Sequence, residues 1–369
     1  MLGEDYTSDD VLPWERNGTS FGLATVPSSA SGTQWNWENI RACNDFLVNY
    51  EKSPVSEEVK QKYAGMILFF KTLDYFNKVK AYGDVPWFEN VMNPGNEEMY
   101  KARDSRILVM DNMLRDIDQA IKWLPKKTDV TVISKDAALA LKARMCLFEG
   151  TWRKYHGLEN PDKFLQEAYN AAEYSASHYQ GTEDAPVFRL GEIMLIRAEA
   201  AELGTITQTD LNETINKLRE RVGFNKKLEL AVPFDDPVIA AAYPNVSGDN
   251  AKLIREIRRE RRIEMFAEGV RYDDIRRWKC GNLLTAPRLG IIIEGAGYSE
   301  KDIAALKETV GVNEDGALTI YEKRYVGQRL LRYLRIRNTI CRQFQQMKLV
   351  RHLILNRILV GKIMTLILW

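Results

Sequence analysis

The sequence contains few of the residues that bind metals or form cross-links. Its 369 residues include four cysteines and three histidines. The cysteines lie far apart in the sequence, at Cys43, Cys146, Cys280 and Cys341. No pair has CxxC or CxxH spacing, and the histidines also lack the spacing of metal ligands. These absences argue against a structural zinc site and a dense disulfide framework, and we expect no cofactor.

Motifs of several enzyme classes and of membrane insertion are absent as well. The sequence has no phosphate-binding P-loop, no GxGxxG dinucleotide fingerprint and no GxSxG nucleophile motif. No apolar run reaches the roughly 20 residues that a membrane-spanning helix needs. The acidic start, MLGEDYTSDD, lacks the apolar centre of a signal peptide. The sequence therefore favours neither a nucleotide-dependent enzyme nor a membrane-spanning protein.

Acidic residues are missing from one end of the chain. Residues 323–369 contain 11 lysines and arginines and no aspartate or glutamate. Residues 1–322 then hold 41 basic against 51 acidic residues, and an acidic body disfavours a nucleic-acid partner. The sequence predicts a single domain over 1–322 followed by a basic tail, 323–369, that is not part of the native protein.

Helical periodicity dominates from about residue 58 onward. One apolar stripe recurs every three or four residues: Ile107, Met110, Leu114, Ile117, Ile121 and Leu124. Asp104 or Ser105 is the predicted cap of that helix, and a second helix is predicted from Ser134 to Gly150. Strand signals are few, and 1–36 and 226–250 are predicted loops. Helices of similar length with short connections predict a mainly α fold of tetratricopeptide-like helical hairpins in a superhelical array, with long irregular loops.

Residues 253–279 are rich in alternating arginine and glutamate, with Ile257 and Phe266 as candidates for the core. Glu–Arg pairs three or four residues apart mostly decorate a solvated helix face, where each contributes roughly 0.3–0.5 kcal/mol. This is the favoured interpretation. The alternative is an arginine–carboxylate network that locks helices together or binds an anionic partner. The adjacent acids Asp273-Asp274 and Glu97-Glu98 give only weak support for a glycoside hydrolase, because neighbouring side chains point in different directions.

Aromatic residues cluster around chain breaks. In YFNKVKAYGDVPWFE, 75–89, a predicted helix stops at Gly83, and Trp87 and Phe88 follow at once. Trp35 and Trp37 lie in a polar stretch, SGTQWNWEN. Either these rings plug the ends of helix pairs, or they form a platform on which sugar rings stack, since loop tryptophans in a polar context suit a binding surface.

Six stretches occur in the order found in one protein family. They are FFKTLDYFNKVKAYGDVPWFE (69–89), the helix over 107–125 ending in AIKWLP, KDAALALKARMCLFEG (135–150), FRLGEIMLIRAEA (188–200), INKLRERVGF (215–224) and ERRIEMFAEGVRYDDIRRW (260–278). Together they resemble the SusD-like (SusD/RagB) family of surface glycan-binding lipoproteins of Bacteroidetes. The resemblance covers most of 37–280, and the signature residues in 260–278 are structural in that family.

The resemblance implies non-catalytic capture of oligosaccharides at the cell surface. Such a protein is anchored by lipid in the outer membrane and delivers its ligand to a SusC-like TonB-dependent transporter. We expect Trp35, Trp37, Trp87 and Phe88 to contact the sugar. The alternative is a helical-repeat scaffold that binds a protein partner and no sugar, and a hydrolase ranks third.

The sequence departs from the family pattern in three places. The family's signal peptide and lipid-modified cysteine are absent, so the true start is expected to be missing. The family's long segment between two helices is expected to be absent near 180–187. HLILNRILVG, 352–361, can be encoded so that a shifted frame reads Pro-Asn-Leu-Lys-Gln-Asn-Pro-Gly-Trp, which resembles the family's ending. A frameshift near Glu322 is the hypothesis, and a basic anchor for anionic lipid is its rival.

Overall fold

The computed structural model describes residues 7–11, 35–91, 95–126, 132–178, 188–285, 289–293, 299–309 and 311–319. The chain divides into two compact units, Met1–Ala286 and Pro287–Trp369. The domain end predicted at 322, the tail that follows it and the deletion predicted near 180–187 all lie outside the described residues.

The first unit is built from helices. In chain order they are α1 Glu38–Asn49, α2 Glu57–Tyr82, α3 Arg106–Trp123, α4 Lys135–His156, α5 Pro161–His178, α6 Leu190–Glu199, α7 Gln208–Glu213, α8 Ile215–Arg221, α9 Pro237–Ala242, α10 Ala251–Glu264, α11 Arg271–Arg277 and α12 Asn282–Thr285. Short 3₁₀ turns cover Tyr50–Lys52, Glu97–Tyr100 and Ala200–Leu203. The prediction of a mainly α fold is confirmed.

Local sequence signals set several of these boundaries. The side chain of Ser105 accepts a hydrogen bond from the Leu108 N–H at the start of α3, and Ser134 caps α4 in the same way. Helix α4 runs past Gly150 to His156, so the predicted end at Gly150 is wrong. Gly150 is instead a packing position, because a Cβ there would lie 2.7 Å from Cγ of Leu165 on α5.

Successive helices pack on one another, from α1 on α2 through to α5 on α6, and α6 also packs on α10. This arrangement buries two apolar clusters. The first lies among α1 to α6 and includes Tyr75 and Phe148. The second lies among α6 to α11 and includes Ile215 and Trp278. The interiors of the helix pairs, rather than a sheet, therefore form the core of this unit.

Four arginines of the arginine-rich segment are buried, so the favoured interpretation of the segment as a solvated face is wrong. Arg258, Arg261, Arg271 and Arg277 are 0%, 4%, 2% and 2% exposed. Arg261 Nε donates to Asp274 Oδ2 at 2.9 Å, and Arg258 Nη2 donates to Oε1 of Glu202 at 3.0 Å. The alternative, a network that locks helices together, is what the structure contains.

Two further local predictions need correction. Phe266 is 56% exposed, because α10 ends at Glu264 and the ring follows in a turn rather than on the buried helix face. The loop predicted over 226–250 contains α9, which begins with Asp236 as cap and Pro237 in its first turn.

The chain start reaches the arginine-rich segment. Asp9 Oδ1 accepts a hydrogen bond from Arg271 Nε at 2.6 Å, and Asp10 Oδ1 accepts one from Arg262 Nε at 2.8 Å. Burial alone would raise the pKa of Asp9, but the bond and charge of Arg271 outweigh it and lower that pKa. Residues 7–11 are thus held against α10 and α11.

The second unit contains strand β1 Leu289–Ile292, helix α13 Glu300–Thr309 and strand β2 Ala317–Thr319. The strands pair antiparallel, with Leu289 opposite Thr319 and Ile292 opposite Ala317.

The described residues contain neither a membrane-spanning helix nor a metal cluster. No described helix is long and apolar enough to cross a membrane. Nowhere in the described ranges do three or more His, Cys, Asp or Glu side chains group as metal ligands would. Cys43, Cys146 and Cys280 are buried and free, and Cys341 lies outside the described ranges.

Candidate functional site

The turn between α2 and the start of α3 is fixed by hydrogen bonds from three sides. Gly83 ends α2 at a φ of 73°, a conformation that glycine adopts without strain. Asp84 Oδ1 then accepts a bond from the Arg106 N–H at 2.8 Å, and Asp104 Oδ2 accepts one from the Trp87 N–H at 2.6 Å. The Phe88 N–H donates to the Tyr75 hydroxyl at 2.8 Å. The backbone that carries both aromatic residues is therefore held in one position.

Trp87 and Phe88 lie in different surroundings despite being neighbours. Trp87 is 5% exposed, its ring centroid is 4.2 Å from that of Tyr75, and Lys71 Nζ lies 4.8 Å from its ring. Phe88 is also largely buried but lines a cavity at the surface of the first unit. The core interpretation fits Trp87, and the platform interpretation remains available for Phe88.

The cavity has a volume of about 580 Å³. It is formed by the start of α1, the segment after Pro86 and the residues from Met99 to Arg103. Trp35, Trp37 and Phe88 line it together. The structure therefore brings three of the four predicted sugar contacts to one cavity and places Trp87 outside its lining. Pockets that hold small molecules commonly measure about 300–1,000 Å³.

The three rings orient one another through edge-to-face contacts. The centroids of Trp35 and Trp37 are 5.2 Å apart at 87°, and those of Trp37 and Phe88 are 5.3 Å apart at 82°. Such pairs contribute about 0.5–1.5 kcal/mol each beyond burial. Each ring also has a cation near one face: Arg103 at 5.2 Å from Trp35, Lys78 at 5.1 Å from Trp37 and Lys101 at 5.2 Å from Phe88. A planar ligand would therefore use the opposite face or the edge of a ring.

Asn44 lines the cavity and carries a buried side-chain oxygen. Asn44 is 1% exposed, and its Nδ2 donates to the Phe88 carbonyl at 2.9 Å. Its Oδ1 has no hydrogen-bond partner among the described residues. Because an unsatisfied buried polar atom costs roughly 1–3 kcal/mol, a hydroxyl donor of a ligand at this position would be stabilised.

Charged side chains complete the lining: Glu38, Arg41, Lys101 and Arg103. Lys101 Nζ lies 2.8 Å from Asp104 Oδ2 and donates to the Trp87 carbonyl at 2.6 Å. Burial alone would raise the pKa of Asp104, but the hydrogen bonds from Lys101 and the Trp87 N–H outweigh it and lower that pKa. This pair fixes the wall between the cavity and the core.

Sequence reasoning missed helix α1 and the polar residues that it brings to the cavity. Trp37, Arg41 and Asn44 are spaced by four and three residues, which places them on one side of a helix. That spacing could have identified them. The sequence did not predict this helix because its first turns are mostly polar. In NWENIRACND, only Ile40 and Cys43 are apolar residues of the buried face.

Comparison with known families identifies the chain. A family model described as "Starch-binding associating with outer membrane", of the SusD-like type, matches residues 25–147. The SusD family model matches residues 149–329. The chain belongs to the SusD family. The two matches are separated by one residue, and apart from that residue they cover the stretches that carried the resemblance, so that prediction is confirmed. A search of curated protein sequences found no significant match.

Solved structures of SusD-like proteins share the fold of this SusD-family chain. A SusD-like carbohydrate-binding protein from Bacteroides fragilis superposes with a TM-score of 0.63 at 18% identity, over 89% of each chain. A second SusD-like protein from Bacteroides fragilis gives 0.60 at 17% identity, over 89% of each chain. A laminarin-binding SusD-like protein gives 0.55 at 14% identity, over 81% of this chain and 88% of that one. At these identities the likeness establishes the fold, which agrees with the predicted tetratricopeptide-like architecture.

Proposed function

We propose that this SusD-family protein binds oligosaccharides without cleaving them, with the cavity between Trp35, Trp37 and Phe88 as its site. One observation carries the proposal: three aromatic rings and the unpaired acceptor of Asn44 line the same cavity of about 580 Å³. Rings offer flat apolar surfaces to the carbon faces of sugars, and the amide oxygen offers an acceptor to a hydroxyl. Trp87 supports the site from the core.

The carboxylates at the cavity and at 273–274 favour binding over hydrolysis, and only one carboxylate of the described residues, Glu38, lines the cavity. A glycosidase needs two carboxyl groups about 5–9.5 Å apart on either side of the scissile bond. Asp274 is instead bonded to Arg261 at 2.9 Å, and Asp273 Oδ2 is bonded to Lys80 at 2.7 Å. Both acids of the pair at 273–274 are engaged in ion pairs that join helices.

The cellular role follows from the family. One matching family model is described as associating with the outer membrane, and several solved relatives are described as carbohydrate-binding or, in one case, laminarin-binding. The proposed role is to hold a glycan at the outer surface and pass it to a SusC-like TonB-dependent transporter, with a lipid anchor in the outer membrane. Co-purification with a transporter encoded beside it, from detergent-solubilised membranes, tests this step.

Affinity electrophoresis in gels that contain plant, host or microbial glycans tests the binding step. Retardation by at least one glycan is the expected result, and chromatography of the same glycans after incubation should find no shorter products. Retardation by none of them would remove the proposed function. Release of products would favour a hydrolase.

The second candidate is a helical scaffold that binds a protein and no sugar. It is favoured by apolar side chains at the ends of α8 and α10, where Val222, Ile263 and Phe266 are 69%, 65% and 56% exposed. Arg221 and Glu264, 2.7 Å apart, join the two helix ends. If every glycan fails to bind while Ile263→Ser abolishes co-purification with the transporter, this candidate replaces the first.

A further inference from the structure

The charges around the cavity do not balance. Arg41, Lys101 and Arg103 line it against one carboxylate, Glu38. Lys101 is already neutralised by Asp104 at 2.8 Å. Arg41 and Arg103 remain as cations without a carboxylate partner among the described residues. Glu38 and Arg41 are three residues apart on α1 but form no ion pair within the described structure.

Other described arginines of the first unit contact carboxylates, including exposed ones such as Arg115 and Arg221. Arg197, for example, contacts Asp210 and Glu213 at 2.7 Å each, and Arg277 contacts Glu199 at 2.7 Å. Arg41 and Arg103 have no such contact among the described residues. Of the carboxylates in the part of the chain that the structure describes, only Glu38 lines the cavity with the two arginines. An anion from outside the chain can complete their coordination.

The side chain of Arg103 is also held in place by a ring. Its guanidinium carbon lies 5.2 Å from the centroid of the Trp35 ring, and stacking on an aromatic face restricts the side chain while leaving its N–H donors free. A guanidinium presents parallel N–H groups that match the two oxygens of a carboxylate or a sulfate. Asn44, whose buried Oδ1 has no hydrogen-bond partner among the described residues, lines the same cavity.

We propose that the preferred ligands are acidic oligosaccharides whose carboxylate or sulfate groups are bound by Arg41 and Arg103. This inference rests on the proposed glycan-binding function and specifies its substrate class. The rings and Asn44 bind the neutral part of the sugar, and the arginines distinguish acidic from neutral glycans. Hydrogen bonds to charged groups contribute about 1.5–3 kcal/mol each, which corresponds to about 10- to 100-fold in affinity.

Isothermal titration with matched ligands tests the inference. One pair is a galacturonic acid hexamer and the same hexamer with its carboxyl groups reduced. The other is a sulfated galactan oligosaccharide and its desulfated form. Tighter binding of at least one acidic member, by about 10-fold or more, is expected. The two pairs separate carboxylate from sulfate recognition. The advantage should shrink when sodium chloride is raised from about 50 to about 500 mM, because salt screens charge.

Variants assign the effect to the two arginines. Arg41→Gln and Arg103→Gln should each weaken the acidic ligand about 10-fold while changing the neutral ligand less than about 3-fold. Arg103→Lys, which keeps the charge, should recover part of the loss. Arg221→Gln, an exposed arginine of α8 outside the cavity lining, serves as control and should change neither affinity.

The outcomes separate this inference from the proposed function. Equal binding of neutral and acidic members, or tighter binding of neutral ones, overturns the preference for acidic glycans and leaves sugar binding intact. An acidic preference that survives both glutamine substitutions overturns the assignment to Arg41 and Arg103. Failure of every glycan to bind removes the proposed function and the inference together.

Discussion

Arg277 of α11 and Glu199 of α6 form a buried ion pair, with Nη2 2.7 Å from Oε2. The indole N–H of Trp278 donates to the other oxygen of the same carboxylate at 2.6 Å. Asp274 Oδ1 lies 2.8 Å from Arg277 Nη2 and completes the group. Asp274, Arg277 and Trp278 belong to the stretch at 260–278 that the family resemblance marked as structural, and their bonds to one another and to Glu199 join the arginine-rich segment to the helical core.

Removing the arginine of this pair should strongly destabilise the fold. Arg277→Met leaves the Glu199 carboxylate buried with one charged partner fewer, and such a loss costs about 3–5 kcal/mol. Urea unfolding followed by circular dichroism measures the change. Arg221→Met is the control: Arg221 is largely exposed and pairs with Glu264, so about 1 kcal/mol or less is expected. Equal effects of the two substitutions would contradict a structural role for the buried pair.

Acid should weaken the protein partly through Glu202. Burial alone would raise the pKa of Glu202, but Arg258 and Lys154 outweigh it and hold the pKa below its usual range. The stabilisation is therefore complete above the unfolded-state pKa of about 4.3 and is lost as the pH falls through the lower folded-state value. Urea midpoints from pH 7 to pH 3 should fall less steeply for Glu202→Gln than for the parent. Parallel curves would contradict this assignment.

Close packing of α4 on α5 depends on a glycine. A Cβ at position 150 would lie 2.7 Å from Cγ and 2.9 Å from the backbone nitrogen of Leu165, so Gly150→Ala should cost about 1–3 kcal/mol through overpacking. Gly281→Ala is the matched control, because nothing lies within 4 Å of the added methyl group. Thermal melts of both variants decide the point, and a neutral Gly150→Ala would show that the helices can move apart freely.

Helix boundaries with their own chemical signals were predictable from the sequence. Ser105 and Ser134 each accept a backbone hydrogen bond at the start of a helix, and Gly83 ends α2 at positive φ. These signals depend on residues that are close together in the chain, so the sequence alone is enough to predict them. Helix α1 was missed because its sequence is mostly polar and its burial depends on packing against α2.

Burial of charged residues was not predictable in the same way. Arg277 pairs with Glu199, which lies 78 residues earlier in the chain. The periodicity of residues 253–279 is a local pattern and cannot predict that contact. The neighbours Trp87 and Phe88 pose the same problem. Their positions are set by Asp104 and Tyr75, 17 and 13 residues away in sequence. The sequence therefore gives the same prediction for both aromatic residues, although Trp87 lies in the core and Phe88 lines the cavity.

Trp87 should affect stability rather than ligand contact. Trp87→Ala opens a cavity beside Tyr75 and should cost about 3–5 kcal/mol. Trp87→Phe keeps most of the ring volume, so the protein should fold. Its glycan affinity should stay within about 3-fold of the parent, because the binding free energy should change by less than about 1 kcal/mol, which is about 5-fold. Loss of affinity in a stable Trp87→Phe protein would mean that the indole itself contacts the ligand.

The central claim is that the cavity lined by Trp35, Trp37 and Phe88 binds sugar. The most direct measurement is isothermal titration of Trp35→Ala with a glycan that binds the parent, beside Phe234→Ala as control. Phe234 is 68% exposed and is not part of the cavity lining. The account predicts about 5-fold or greater weakening for Trp35→Ala, taking as a guide the roughly 1–3 kcal/mol that a base gains by stacking on one aromatic ring, and no change for Phe234→Ala. Unchanged affinity in a folded Trp35→Ala protein would contradict it.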